Sequence, residues 1–283
     1  MTTERIAPPP AVSPACATCS MANLANLRKL GINMEDADYV VALAGNPNVG
    51  KSTVFNAVTG LRQHTGNWPG KTVGRAEGGF EYAGRRYKIV DLPGTYSLLS
   101  TSLDEEIARN FILFGRPDVT VVVADATRLE RNLNLVLQVL EITDRAVVCV
   151  NLIDEARRLG LTVDERRLAR DLGVPVVLTA ARQGEGIPQL LQMIDEVATG
   201  KFVCRPRRLQ NEPPALKQAV ATLTAQLTAA YPGLPNARWV ALRLLDGDER
   251  MVQALRSGEL LELAQAGPTS GPAQPMLQLE AAQ

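Results

Sequence analysis

Aromatic residues are scarce in this chain, at 4% of 283 residues, and there is a single histidine. So few rings argue against a protein that grips single-stranded nucleic acid by stacking. Charge of one sign is also lacking. Lys and Arg number 30, Asp and Glu number 30, and the formal net charge is zero. No overall field therefore favours nucleic acid or anionic lipid. Four cysteines, Cys16, Cys19, Cys149 and Cys204, are too few for a disulfide scaffold and suit a reducing cytoplasm. Cys149 lies in an apolar run and reads as a buried thiol. No apolar stretch reaches the ~18–20 residues that cross a bilayer. The longest, around Val119–Ala126 and Ala146–Val150, are strand-sized. The N-terminus has one Arg followed by prolines and lacks the apolar centre of a signal peptide. A soluble chain is expected.

What is present is a core. Hydrophobic residues make up 46% and charged residues 21%, enough for one large or two ordinary domains. Residues 1–15 are rich in Pro and Ala and read as disordered. Met21, Leu24, Leu27 and Leu30 fall at helical spacing, with Gly31 as the C-cap. Blocks of one kind follow. Apolar strands at Tyr39–Ala44, Val119–Asp125, Ala146–Asn151 and Val174–Leu178 are each followed by a helical stretch. The helix after Val119–Asp125 carries Leu129, Leu133, Val136, Leu137 and Leu140, and the last carries Ile187–Val197. Continuously apolar strands alternating with helices predict an α/β fold with a mostly parallel sheet covered on both faces. Gly79–Tyr82 and Arg86–Asp91 around Ala83-Gly84-Arg85 predict one antiparallel hairpin. Residues 61–77 show no clear periodicity and read as a long loop, functional or disordered, containing His64, which reads as incidental. Residues 205–214 read as a basic, Pro-rich linker. Three helices follow, at Leu216–Tyr231, Ala237–Leu245 and Met251–Leu255, as a small helical subdomain, then a tail from Gly267 that reads as disordered.

The chemistry sits at strand ends. Gly45-Asn46-Pro47-Asn48-Val49-Gly50-Lys51-Ser52, followed by Thr53, is G-x-x-x-x-G-K-S between an apolar strand and a helix. Glycines let the backbone turn its N–H groups toward a phosphate, and the helix start adds its positive end. Lys51 is placed to reach the β- and γ-phosphates of a nucleotide, and the Ser52 hydroxyl to ligate Mg²⁺. Asp91-Leu92-Pro93-Gly94 ends the second hairpin strand. Asp91 there suits Mg²⁺ held through water, and Gly94 lets a backbone N–H approach the γ-phosphate. Asn151-Leu152-Ile153-Asp154 ends the next strand. Its N-x-x-D resembles the guanine-reading motif of GTPases, in which one carboxylate accepts from the ring N–H and the exocyclic amine together; adenine lacks that donor pair. Leu152 stands where GTPases usually carry Lys. Thr179-Ala180-Ala181-Arg182 ends the last strand, where a Ser-Ala segment usually touches the base, and Ala180 lacks the Ser hydroxyl. In the loop Gly70-Lys71-Thr72-Val73-Gly74, Thr72 is the leading candidate to complete the Mg²⁺ shell, with Thr65 second. Cys16-Ala17-Thr18-Cys19 supplies only two metal ligands, so weak metal or redox chemistry and spare thiols both stay open.

Taken together, GNPNVGKST, NWPGKTV, DLPGTYSL, NLID and the helical ARWVALRLLDGD resemble the N-terminal cytosolic part of the FeoB (ferrous iron transport protein B) family, over roughly residues 38–260. The resemblance implies a Ras-like P-loop GTPase domain over 38–203 and a helical, GDI-like domain over 204–265. It leaves 1–37 as an extension with the CxxC and one helix, and 266–283 as a tail toward a membrane domain not in this chain. It implies a K⁺-activated GTP-hydrolysing switch, slow on its own, that couples GTP or GDP occupancy to Fe²⁺ uptake. Asn48 and backbone carbonyls near Trp68 would hold K⁺ beside Mg²⁺ and the phosphates, where other GTPases insert an arginine. Thr95 stands where many GTPases carry a water-orienting Gln, and Lys71 where the family usually carries a small apolar residue. Implied partners are the Fe²⁺ permease domain of the full-length protein, small accessory iron-transport proteins and further copies of the chain, without nucleic acid. The implied location is the cytoplasmic face of the bacterial inner membrane. The alternatives are a nucleotide-sensing module with negligible turnover and a ribosome-associated GTPase. The last would bring a basic RNA-binding appendage, and residues 215–264 carry little positive charge for one.

Overall fold

The computed structural model describes residues 27–34, 36–61, 63–99, 102–208 and 213–259. Cys16, Cys19, Met21, Leu24 and the tail from Gly267 lie outside them.

Seven strands form one sheet: β1 (Tyr39–Gly45), β2 (Gln63–Asn67), β3 (Gly74–Tyr82), β4 (Arg85–Asp91), β5 (Val119–Asp125), β6 (Ala146–Asn151) and β7 (Val176–Leu178). Their order is β2-β3-β4-β1-β5-β6-β7. Strands β4, β1, β5, β6 and β7 run parallel, and β2 and β3 add an antiparallel edge. The central parallel strands β1, β5 and β6 are buried almost end to end because helices cover both faces. Alternate residues of each strand enter different cores. Val41, Leu43, Val121, Val123 and Val147 face α1 (Lys51–Thr59) and α6 (Ile187–Ala198). Val40, Ala42, Val122, Val148 and Val150 face the opposite core. That core holds residues of α2 (Leu103–Asn110), of the π-helical turn Phe111–Gly115 and of α3 (Leu129–Ile142). It also holds residues of α7 (Pro214–Ala230), α8 (Ala237–Leu245) and α9 (Glu249–Ser257). Two short polar helices, α4 (Ile153–Arg158) and α5 (Glu165–Leu172), separate β6 from β7. Among the described residues, no helix is long and apolar enough to cross a membrane.

Several sequence expectations are corrected. Residues 61–77 are not one loop: Gln63–Asn67 is an edge strand paired with the start of β3, which begins five residues before the expected Gly79. QHTGN and GRAEGG carry no apolar alternation, so backbone pairing alone marks these strands. The hairpin turn is the two residues Ala83-Gly84, both at positive φ (50° and 74°), the geometry that matches strand twist. The expected helix forms as α3, with Val136 and Leu140 buried beside Leu135, Val139 and Ile142, and Leu137 41% exposed. The last strand is shortened to Val176–Leu178. Residues 205–207 are docked, since the Arg205 and Arg207 amides donate to the Gly173 (2.8 Å) and Leu172 (3.0 Å) carbonyls at the end of α5.

The three C-terminal helices are joined to the sheet domain by a buried charge pair. Arg109 of α2 and Asp248, the N-cap of α9, lie 3.8 Å apart with side chains 3% and 5% exposed. The second Asp248 oxygen accepts the Met251 amide at 3.0 Å. Removing one member of a buried pair strands the other in low dielectric, and here a helix cap is lost as well. Asp248→Ala is expected to cost about 3 kcal/mol, read as a lowered urea midpoint with an unchanged slope.

Candidate functional site

The five parallel strands end on one edge of the sheet, where α/β folds bind ligands. Residues 45–52 leave β1 there. Asn48 (φ 65°) and Gly50 (φ 80°) both adopt the left-handed conformation, which bends the segment into a concave loop. Gly50 tolerates no side chain: a Cβ would sit 2.4 Å from Asn151 Nδ2. The next loop is hung on the same strand, the Leu92 amide donating to the Leu43 carbonyl (3.0 Å) and Thr95 to Gly45 (3.2 Å).

Lys51 opens α1 and turns its ammonium toward Asp91, at the end of β4 beside β1. It also donates to the Leu92 carbonyl at 2.7 Å. Burial pushes the Asp91 carboxyl above the usual carboxylate range, although Lys51 beside it pulls the other way. Ser52 and Thr53 are exposed on the first turn of α1. Thr72 is exposed on the loop between β2 and β3. Their hydroxyls and the Asp91 carboxylate are hard oxygen donors of the kind Mg²⁺ takes. Among the described residues no three His, Cys, Asp or Glu side chains cluster as a denser metal site.

Asn151 ties the site together. It is 1% exposed at the end of β6. Its Nδ2 donates to the Val49 carbonyl at 3.0 Å. Its Oδ1 accepts from the Thr179 hydroxyl and the Ala181 amide, both at 3.1 Å. One side chain thus fixes the residue 45–52 loop to the loop after β7. Leu152 follows at φ 64°, a conformation rare for a branched side chain, and caps α4 through its carbonyl. This turn places Asp154 at the rim of a cleft of about 790 Å³, within the range of small-molecule sites. Thr53, Asn151, Leu152, Ala180, Ala181 and Gln183 line it as well. Gln183 Nε2 donates to Asp154 Oδ2 at 3.1 Å, and the Arg158 guanidinium lies 3.6 Å from the same oxygen. Sequence reasoning singled out neither Gln183 nor Arg158, because residue type alone distinguishes neither from any other surface side chain. Cys149 is buried beneath Thr179 (3.2 Å), and burial pushes its thiol up to about 12. It is therefore an inert floor residue.

In the loop between β2 and β3, Trp68-Pro69-Gly70-Lys71 forms a turn closed by the Lys71 amide on the Trp68 carbonyl (3.0 Å), with Gly70 at φ 68°. The Trp68 ring is buried, edge-on to Phe111 at 5.5 Å. Lys71 pairs with Glu106 of α2 at 3.5 Å. Asn48 is exposed, and the Trp68 carbonyl keeps a second lone pair beyond the one given to Lys71. Both are oxygen donors of the class a K⁺ ion takes.

Comparison with known proteins agrees with this geometry. The family model for ferrous iron transport protein B matches residues 39–194, and the FeoB cytosolic helical domain matches residues 213–267. The Fe(2+) transporters FeoB of Salmonella typhimurium and Escherichia coli K12 are 42% and 41% identical over 212 residues. That stretch is 74% of this chain and 27% of each relative, so the chain spans about a quarter of their length. The cytosolic domain of the T. maritima FeoB iron transporter in apo form is 38% identical, with a TM-score of 0.70 over 80% of this chain and 86% of that one. The same domain in GMPPNP form is 36% identical at a TM-score of 0.69, over 82% and 88%. The L. pneumophila FeoB cytosolic domain is 34% identical at 0.70, over 79% and 88%. The seven-stranded sheet followed by helices is thus that of a FeoB G domain and its helical domain, and the chain belongs to the ferrous iron transport protein B family.

Proposed function

We propose that this chain is the GTP-binding and GTP-hydrolysing regulatory part of a bacterial ferrous iron transporter. It divides into a G domain over 38–203 and a helical domain over 204–265. In the full-length protein it works at the cytoplasmic face of the inner membrane, beside a permease domain that carries Fe²⁺. The observation that carries the reading is the Asn151 brace. It joins the phosphate-type loop to the loop after β7, beside which Asp154, oriented by Gln183, stands at the mouth of the cleft.

The assignments follow from that layout. Residues 45–53 cradle the phosphates with amides and Lys51. Asp154 accepts from guanine, with Asn151 and residues 179–181 shaping the base pocket. Ser52 and Thr72, with Asp91 through water, would hold Mg²⁺. Asn48 and the carbonyls near Trp68 would hold K⁺. These ions, when bound, would offset the charge that builds on the phosphate oxygens during hydrolysis. The chain's own contribution is positioning. Lys51 must leave Asp91 to reach a phosphate, and Lys71 must leave Glu106 for Thr72 to turn inward. Nucleotide state is thereby linked to α2, which carries Arg109 against α9.

Thr95 favours a second reading, a nucleotide-sensing module with negligible turnover. It stands where other GTPases orient water, and it is 4% exposed and tied to Gly45 by its amide. Single-turnover hydrolysis in K⁺ and in Na⁺ separates the two. The switch reading expects a rate at least about tenfold higher in K⁺. Equal and very slow rates in both salts would favour the sensor.

A further inference from the structure

The segment ahead of the family-matched region packs against the loop that carries Thr72. The match begins at residue 39. Leu27, Ile32 and Met34 precede it, yet they are buried in the same cluster as Trp68 and Phe111. Gly31 sits under the loop with φ +81°, and a Cβ there would lie 2.7 Å from Pro69 Cγ and 2.8 Å from Arg75 Nη1. Arg75, at the far side of the loop on β3, reaches back. Its two terminal nitrogens donate to the Leu30 and Gly31 carbonyls, each at 3.1 Å. Those carbonyls end a helical turn and lack a partner within it. The same guanidinium lies 5.4 Å from the centre of the Trp68 ring. Farther along, the Lys88 ammonium donates to the Asn33 carbonyl.

We propose that residues 27–34 are a positioning element of the nucleotide site, clamping Trp68 and Pro69 and so presetting the backbone from which Lys71 and Thr72 project. The proposal rests on the reading that loop carbonyls and Thr72 serve bound cations. A loop that must take one arrangement to ligate loses conformational freedom on binding, and fixing its base in advance leaves less to lose. The clamp therefore acts on steps that use the ordered loop. GDP binding through residues 45–53 and Asp154 does not need it. Nothing in the clamp touches the phosphates or the base, so Gly31, Ile32 and Arg75 act only through the loop.

The test uses the full chain with Trp239→Phe, so that Trp68 is the only indole. Gly31→Val drives a side chain into Pro69; Arg75→Gln and Ile32→Ala are gentler and keep the test open if Gly31→Val does not fold. Acrylamide quenching of Trp68, GDP affinity and single-turnover hydrolysis against K⁺ concentration are measured. The clamp predicts that quenching rises about twofold and the K⁺ midpoint at least about threefold, with GDP affinity held within about twofold. Where the parent chain responds to K⁺, an unchanged K⁺ midpoint overturns it, whatever the quenching. So does GDP affinity that falls in step with the midpoint, since the variants would then merely loosen the fold. If the parent chain hydrolyses equally in Na⁺ and K⁺, the cation reading fails by itself. Quenching then decides the clamp: a rise supports it and no rise overturns it.

Discussion

Lys51→Ala is expected to weaken GTP and GDP binding by roughly a thousandfold, the scale set by losing a charge-assisted contact to phosphate in a partly desolvated site. Isothermal titration measures it directly, and affinity within tenfold of the parent would remove Lys51 from the phosphate role. A second readout separates this loss from general damage. Lys51 is also the neighbour of Asp91, whose carboxyl burial already holds above its usual range. Without the ammonium, Asp91 is left with burial alone, and its folded-state pKa rises further. A carboxyl that binds its proton more tightly when folded favours the folded state at low pH, and that advantage fades as pH rises through the unfolded and then the folded pKa. The nucleotide-free variant should therefore lose stability relative to the parent near neutral pH and recover part of it toward pH 5. Asp91→Asn in the same background should abolish the recovery. A stability deficit that does not depend on pH would show that Lys51 contributes through packing of its stem rather than through charge.

How far the sequence reaches is seen at particular residues. The parallel strands are legible because they are buried on both faces, so Val119–Asp125 and Ala146–Asn151 read as unbroken apolar runs. The 45–52 loop is legible because its conformation demands glycine at fixed places, as the contact of a Gly50 side chain with Asn151 makes plain. The edge strand Gln63–Asn67 is not legible, since an edge needs only backbone pairing and its side chains carry no pattern. The helix through Leu137 is legible, but not that Leu137 faces outward while Leu135 and Val139 face the sheet, because local apolarity does not choose between them. Nor does any local signal reveal that Asn151 meets Thr179, Arg75 meets Leu30 or Arg109 meets Asp248, contacts that span 28, 45 and 139 residues of sequence. Motifs name which residues act; long-range hydrogen bonds decide how they are held.

Asp154→Asn is expected to lower GDP affinity about a hundredfold and to raise affinity for the xanthine nucleotide by a comparable factor, because each charged hydrogen bond to the base is worth about 1.5–3 kcal/mol. An amide offers one acceptor and one donor in place of two acceptors. Guanine then faces a donor against a donor, whereas xanthine, with a carbonyl at that position, pairs with both. The setting of Asp154 bears on the size of the effect. Gln183 Nε2 holds one of its oxygens and Arg158 stands beside it, so the carboxylate is oriented before any base arrives. A nucleotide must compete with Gln183 for that oxygen, and it gains a carboxylate already aimed. Gln183→Ala separates these two influences. If orientation dominates, guanine affinity falls while the preference for guanine over xanthine is kept. If competition dominates, guanine affinity rises. In either case the preference itself belongs to Asp154. An Asp154→Asn chain that still prefers guanine nucleotides as strongly as the parent would mean that the base is read by other polar groups lining the cleft, such as Thr53, Arg182 or Gln183.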